Sequence, residues 1–291
     1  MIPANPTLRA AIWMIGAILS FSSMAVAGRA VSFELDTFEL LLYRSLIGVV
    51  IVVAVGGVAG TLPQINTRQL STHMMRNISH FTAQNLWYFA LTAIPLAQVF
   101  ALEFTSPLWV IALSPLLLGE RLTKVRVLAG IMGFIGVLIV ARPSTDTLEW
   151  GLIAAALSAI GFACTVIFTK KLTRSTTLTN ILFWLVVMQS VLGLISAGYD
   201  GDIQAPSAET WPWLILIGVA GLLAHFCITN ALTIAPASTV MPFDFARLPL
   251  IAIVGAVFYN EPLDALVFLG AAVIFVANYL NIKATQNPDT N

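Results

Sequence analysis

The sequence predicts an all-α membrane protein: ten transmembrane helices as two inverted five-helix repeats, with the N and C termini cytoplasmic. Three observations carry that expectation. Of 291 residues, 58% are hydrophobic and only 10% charged, against about 25% charged in a soluble domain. A water-soluble surface cannot be built from such material. Apolar runs near the length that a spanning helix needs, about 20 residues, occur ten times. Finally, the chain echoes itself at a shift of 141 positions: Pro95 falls on Pro236, Val99 on Val240, Glu103 on Asp244, Phe104 on Phe245 and Glu120 on Glu261. A unit of five spans is odd, so its second copy enters the membrane from the opposite side. That is the geometry of an inverted repeat.

The spans follow in order. The first repeat, residues 10–141, holds spans near 10–27, 38–57, 75–93, 97–117 and 125–141. The second, residues 150–282, holds spans near 150–169, 178–197, 211–232, 238–259 and 263–282. Arg9 followed by an apolar run ending at Ala25-Val-Ala27 has the outline of a secretion signal. Aligning Leu19-Ser20 with Leu157-Ser158 instead makes that run the first span of the first repeat. The polar stretch Arg142-Pro-Ser-Thr-Asp-Thr is the joint between repeats, and residues 285–291 form a polar tail.

Total charge is zero and says nothing of partners; the placement of the charges says more. With the N-terminus inside, ten basic residues fall on cytoplasmic segments, from Arg9, Arg68 and Arg76 to Lys283, and only Arg29 and Arg142 fall outside. This bias sets the orientation and points to a multi-pass protein of the inner (plasma) membrane. Trp150, Trp211 and Trp213 then open spans at the outer interface, where amphipathic rings prefer to sit.

Four ionisable groups remain inside spans: Arg44, Glu103, Asp244 and Arg247. Each costs about 2.5–3.5 kcal/mol at a helix centre on insertion scales, so each has a partner or a task. Two readings stand side by side. In one, Glu103 and Asp244 face a central cavity and bind a cationic group or a proton. In the other, the charges only neutralise one another: Asp244 with Arg247 three residues on, Glu103 with Arg44 from a neighbouring span. The shift places Gln84 on His225, so spans 3 and 8 present a polar group at one depth. His80, Gln84 and Tyr88 share a face of span 3, with Asn77, Asn85 and Trp87 close by. Phe100, Phe104, Phe243, Phe245 and Trp184 either stack a flat ligand or pack the core. The expected substrate-binding set is Arg44, Gln84, Trp87, Tyr88, Glu103, Phe104, His225, Asp244 and Arg247. Pro107, Pro115, Pro242 and Pro249 interrupt hydrogen bonding in spans 4 and 9, as gate hinges or as packing bends. Gly130, Gly133 and Gly136 suit close intramolecular packing or a homodimer face. Cys164 and Cys227 sit in apolar runs with no partner spacing and read as packing.

The chain resembles the drug/metabolite transporter superfamily in its ten-helix form with two EamA-type domains. The resemblance rests on Glu39-Leu-Leu-Leu-Tyr-Arg44, Ala90-Leu-Thr-Ala-Ile-Pro-Leu-Ala, Leu117-Leu-Gly-Glu120-Arg, Phe258-Tyr-Asn-Glu261-Pro and the span-5 glycines, in order over nearly the whole chain. Spans 2, 4 and 9 are similar to branches that include S-adenosylmethionine and riboflavin uptake carriers. The Phe243-Asp-Phe-Ala-Arg247 string differs from the adenosylmethionine carriers, so the resemblance implies a carrier but no particular substrate. It implies a secondary active transporter for a small organic metabolite (amino acid, amine, nucleoside- or vitamin-like), working by alternating access with proton coupling or exchange of a counter-substrate. No phosphate-binding Gly-x-x-x-x-Gly-Lys loop occurs, so ATP hydrolysis is not the motor. An intramembrane enzyme is the rival class, but neither a His-Glu-x-x-His nor a Gly-x-Ser-x-Gly string is present. A passive channel is a third class, but no filter-like string appears. No cofactor, metal or nucleic-acid partner is expected; the lipid bilayer is.

Overall fold

The computed structural model describes residues 5–31, 34–94, 96–141, 150–259 and 265–284, and all regular structure among them is helical. In the first repeat these are α1 (Pro6–Val31), α2 (Thr37–Val58), α3 (Leu70–Ala93), α4 (Leu96–Glu103), α5 (Ser106–Leu118) and α6 (Lys124–Ala141). The second holds α7 (Trp150–Thr173), α8 (Leu178–Ala197), α9 (Trp211–Ile234), α10 (Ala237–Val240), a 3-10 stretch Met241–Ala246, α11 (Arg247–Tyr259) and α12 (Ala265–Ala284). Five of them, α1, α2, α7, α8 and α9, are each long and apolar enough to cross a membrane.

The repeat seen in the sequence is a repeat of structure. Adding 141 turns the bounds of α3 into those of α9, and the bounds of α5 into those of α11. Both 24-residue helices end alike: the extended residues Ile94 and Ala235 donate their N–H groups to the Ala90 and Ala231 carbonyls at 3.0 Å. The shift also runs through the first span, setting Phe21 on Phe162. Helices α1 and α7 each pack closely on the other repeat, Gly16 against Cys227 of α9 and Gly161 against Ala83 of α3.

The main helix pairings all cross between repeats: α1 with α9, α3 with α7, α2 with α8 and α6 with α12. Under the shift the first two exchange places and the last two map onto themselves. The core therefore lies between the repeats, not within either. The glycines of α6 serve that packing. A Cβ at Gly136 would fall 2.7 Å from Ile274 Cγ1 and 2.9 Å from the Gly270 carbonyl of α12, and one at Gly133 would overlap the Phe245 ring. Both face intramolecular neighbours. Cys164 and Cys227 are free thiols.

Two expectations change. Spans 4 and 9 are not continuous: α4 stops at Glu103 and α5 starts at Ser106, while α10 gives way to the 3-10 stretch that holds Asp244. Pro107 and Pro242 stand at the starts of the segments that follow each break, where a missing N–H costs nothing. Span 3 begins earlier than its hydropathy suggests, at Leu70. Arg76, expected in a cytoplasmic segment, is thus 1% exposed within the bundle. Its guanidinium donates to Thr169 Oγ1 at 2.9 Å and Asn77 Oδ1 at 3.2 Å.

The two ends of the bundle differ in charge. One end gathers Arg121, Lys124, Arg126, Lys170, Lys171 and Arg174 around the α5–α6 and α7–α8 turns. There Lys170 Nζ donates to the carbonyls of Leu232 at 2.5 Å and Ala235 at 2.8 Å, closing α9. Gly119, at φ 66°, turns the chain back so that Glu120 caps the start of α10 through the N–H groups of Ala237 and Ser238. At the other end Asp36 and Glu39 form a capping box on α2, and Glu39 also accepts from Gln204 N at 2.6 Å. Glu34 takes hydrogen bonds from Thr210 and Ser207 there, which hold its carboxyl below the usual range.

Candidate binding site between the broken helices

The breaks in α4–α5 and α10–α11 bring the two repeat-equivalent acids together. Arg247, first residue of α11, reaches back to both: its Nη2 donates to Glu103 Oε1 and, at 3.2 Å, to Asp244 Oδ2. Glu103 also accepts from Trp87 Nε1 at 2.7 Å. Of the two pairings read from the sequence, Asp244 with Arg247 is present, but the cation at Glu103 is Arg247 and not Arg44. The guanidinium carbon lies 5.0 Å from the centre of the Phe104 ring and 5.3 Å from that of Phe21, within cation–π range. All three charged groups are buried. Two carboxylates against one guanidinium leave a formal charge of −1, and Asp244 Oδ1 and Arg247 Nε have no partner among the described residues.

Aromatic rings lead away from this acidic pole along two lines. Phe104 stacks on Phe100 at 6.3 Å, Phe100 meets Trp87 edge-on at 6.1 Å, and Trp87 meets Tyr88 at 5.1 Å. On the other line Phe21 is edge-on to His225 at 5.9 Å, and His225 to His80 at 4.8 Å. Both lines end near Arg44. Its side chain and those of Ser45, Gln189 and His225 line a small cavity of about 20 Å³ between α2, α8 and α9, room for about one water. Buried polar atoms normally find partners. Here both His80 ring nitrogens, His225 Nε2 and Gln84 Oε1 find none among the described residues. These atoms all belong to α3 and α9, in the interior of the bundle.

Residues 8–142 match the description "EamA-like transporter family", and residues 149–283 match it a second time. The chain belongs to the EamA-like transporter family. Among relatives of this EamA-like chain, the riboflavin transporter of Vibrio cholerae serotype O1 is 30% identical over 93% of this chain and 91% of its own length. That of Brucella anthropi is 34% identical over 74% of this chain and 77% of its own. The S-adenosylmethionine uptake transporter of Rickettsia felis is 23% identical over 94% and 92%. One solved crystal structure, 17% identical, covers 97% of this chain and 99% of its own with a TM-score of 0.81, which shows the fold. The superfamily resemblance read from the motifs therefore holds.

In this EamA-like fold, Trp87, Glu103, Phe104, Asp244 and Arg247 converge at the acidic pole, and Arg44 and His225 meet at the other. Tyr88, at the end of the first aromatic line, lies near Arg44, and Gln84 is one turn earlier on α3. Trp184 does not join them: its Nε1 donates to the Asn66 carbonyl at 2.9 Å, near the start of α8. Phe243 packs in the α1–α9–α10 core. Three members escaped the sequence reading: Phe21, Arg76 and Gln189. Phe21 was within reach of the sequence, because the 141-residue shift sets it on a second phenylalanine, Phe162.

Proposed function

We propose that the chain is a secondary active transporter moving a small organic metabolite across the inner membrane by alternating access. The observation that carries this reading is the pair of repeat-equivalent acids held on one arginine where two helices break. Carriers built from inverted repeats place substrate and ion sites at discontinuous helices near the repeat interface. Ten spans follow if α4–α5 and α10–α11 each cross as one broken helix beside α1, α2, α3, α6, α7, α8, α9 and α12. The basic end then faces the cytoplasm with both termini. Arg44, Gln84, Trp87, Tyr88, Glu103, Phe104, His225, Asp244 and Arg247 form the substrate site. The aromatic lines between the poles suit a flat body, and relatives named for riboflavin and S-adenosylmethionine support a metabolite of vitamin or nucleoside type. A proton or counter-substrate that takes Arg247's place at Asp244 would supply the differential interaction that a driven change requires.

The purified protein in proteoliposomes tests the reading. Uptake from a panel of riboflavin, S-adenosylmethionine and tryptophan should saturate for at least one compound and return it chemically unchanged. Glu103→Gln should abolish that flux with the protein still inserted. Flux that rises linearly without saturation would favour a channel, a changed product would favour an enzyme, and full flux in Glu103→Gln would remove the acid from the site.

A further inference from the structure

Two buried guanidiniums stand apart from the acidic pole, and no carboxylate among the described residues meets them. Arg44 makes no hydrogen bond or ion pair with the described residues, though it is only 9% exposed. Its guanidinium lies against α9 where Gly221 leaves room: a Cβ at Gly221 would fall 2.8 Å from Arg44 Nε and 3.2 Å from Nη2. The nearest acid along its own helix, Glu39, is committed elsewhere, to the backbone N–H groups of Asp36 and Gln204. Behind the cavity Gln189 Nε2 donates to Asn77 O at 2.9 Å and Oδ1 at 3.2 Å, and Arg76 donates to that same Oδ1. Arg76 is thus linked to the cavity wall through two amides. His80 and His225 lie in the field of both arginines.

Resting on the carrier reading above, we infer that the cavity at Arg44 is an anion subsite that takes the carboxylate of the transported metabolite. Arg44 supplies the direct contact, through a planar fork of donors that matches a carboxylate edge. Arg76 supplies a second positive charge from behind Asn77 and Gln189. An uncompensated buried charge is costly, and an incoming anion removes that cost. His225 Nε2, unpartnered and on the same wall, is placed to donate to the second oxygen in its Nε2-protonated tautomer. The site then has two unlike ends: a net negative one at Glu103, Asp244 and Arg247, and a positive one at Arg44 and Arg76. On this reading the metabolite carries a carboxylate at the end that meets Arg44.

Three probes with one aromatic body test this: indole-3-acetate, indole-3-acetamide and tryptamine, titrated against the purified full-length protein by thermal shift, with inorganic phosphate as a fourth arm. Indole-3-acetate should bind at least about tenfold more tightly than the amide, the scale of a charge-assisted hydrogen bond. Arg44→Gln should erase that preference, Arg44→Lys should keep part of it, and Arg76→Gln should weaken it. Each variant is compared with its own unliganded melting temperature, so lost stability does not imitate lost binding. If Arg44→Gln does not fold, the order of the probes on the native protein and on Arg44→Lys decides. Equal binding of acid and amide, no shift with any of the three, or stronger binding of phosphate would overturn the proposal. Saturable flux of a metabolite without an anion preference would leave the carrier standing and remove the subsite. An anion preference without flux would do the reverse.

Discussion

At Arg247 one guanidinium faces two carboxylates, and that imbalance sets what each substitution should do. Removing Arg247 leaves Glu103 and Asp244 buried side by side with no cation. Breaking a buried pair in this way costs about 3–5 kcal/mol. Removing the charge of Asp244 leaves an intact Glu103–Arg247 pair and relieves a repulsion. Arg247→Gln should therefore melt far below the native protein in detergent, and Asp244→Asn at or above it, as followed by tryptophan fluorescence. The opposite order would show that Asp244, not Glu103, is the arginine's main partner. The Asp244–Arg247 contact was legible from spacing on one helix. The Glu103–Arg247 contact joins residues 144 apart, and only the repeat hinted at it, by giving the two acids equivalent places. Arg76 was not legible, because it fell at the edge of the span expected near 75–93 and was counted with the cytoplasmic segments, whereas α3 starts at Leu70 and carries it inside.

The broken helices are the elements that turn a sequence repeat into a site. Residues 97–117 and 238–259 read as uniform apolar spans, since Leu, Val, Ala and Phe surround each break and hydropathy does not register backbone hydrogen bonds. Their prolines were visible, but whether they bend or interrupt a helix depends on what packs against them. At the second break that neighbour is α6, where Gly133 accepts the Phe245 ring beside Asp244. A side chain at Gly133 must push the ring, and with it the 3-10 stretch. Gly133→Val should cost about 1–3 kcal/mol, as overpacking does, and should cut transport more than it cuts the amount of protein in the membrane. Membrane abundance and proteoliposome flux measured together separate the two effects. Native flux in Gly133→Val would show that the stretch tolerates displacement.

Across the whole molecule, one end carries lysines and arginines and the other carries Glu34, Asp36, Glu39, Asp200, Asp202 and Glu209. That polarity supports the cytoplasmic placement of the basic end. In a variant with Cys164 and Cys227 replaced by serine, an impermeant thiol reagent added to sealed cells should label Asp202→Cys and miss Lys124→Cys. Labelling of Lys124→Cys alone would invert the orientation. The helical class and the two repeats were legible because composition and period depend on every residue. The partnerships across the repeats were not, because nothing local encodes which helix meets which. Those partnerships also bear on how the protein is made. α3 carries Arg76, Asn77, His80, Gln84 and Asn85, and its main neighbour is α7. When the ribosome has released only the first repeat, α7 does not yet exist, and lipid is a poor substitute for Thr169 as Arg76's companion. The first repeat by itself is therefore an unfinished assembly, and α3 gains its main neighbour only once the second repeat is made. A truncated first repeat is thus expected to be less stable than the whole chain, because α3 would lack the neighbour that covers its polar residues.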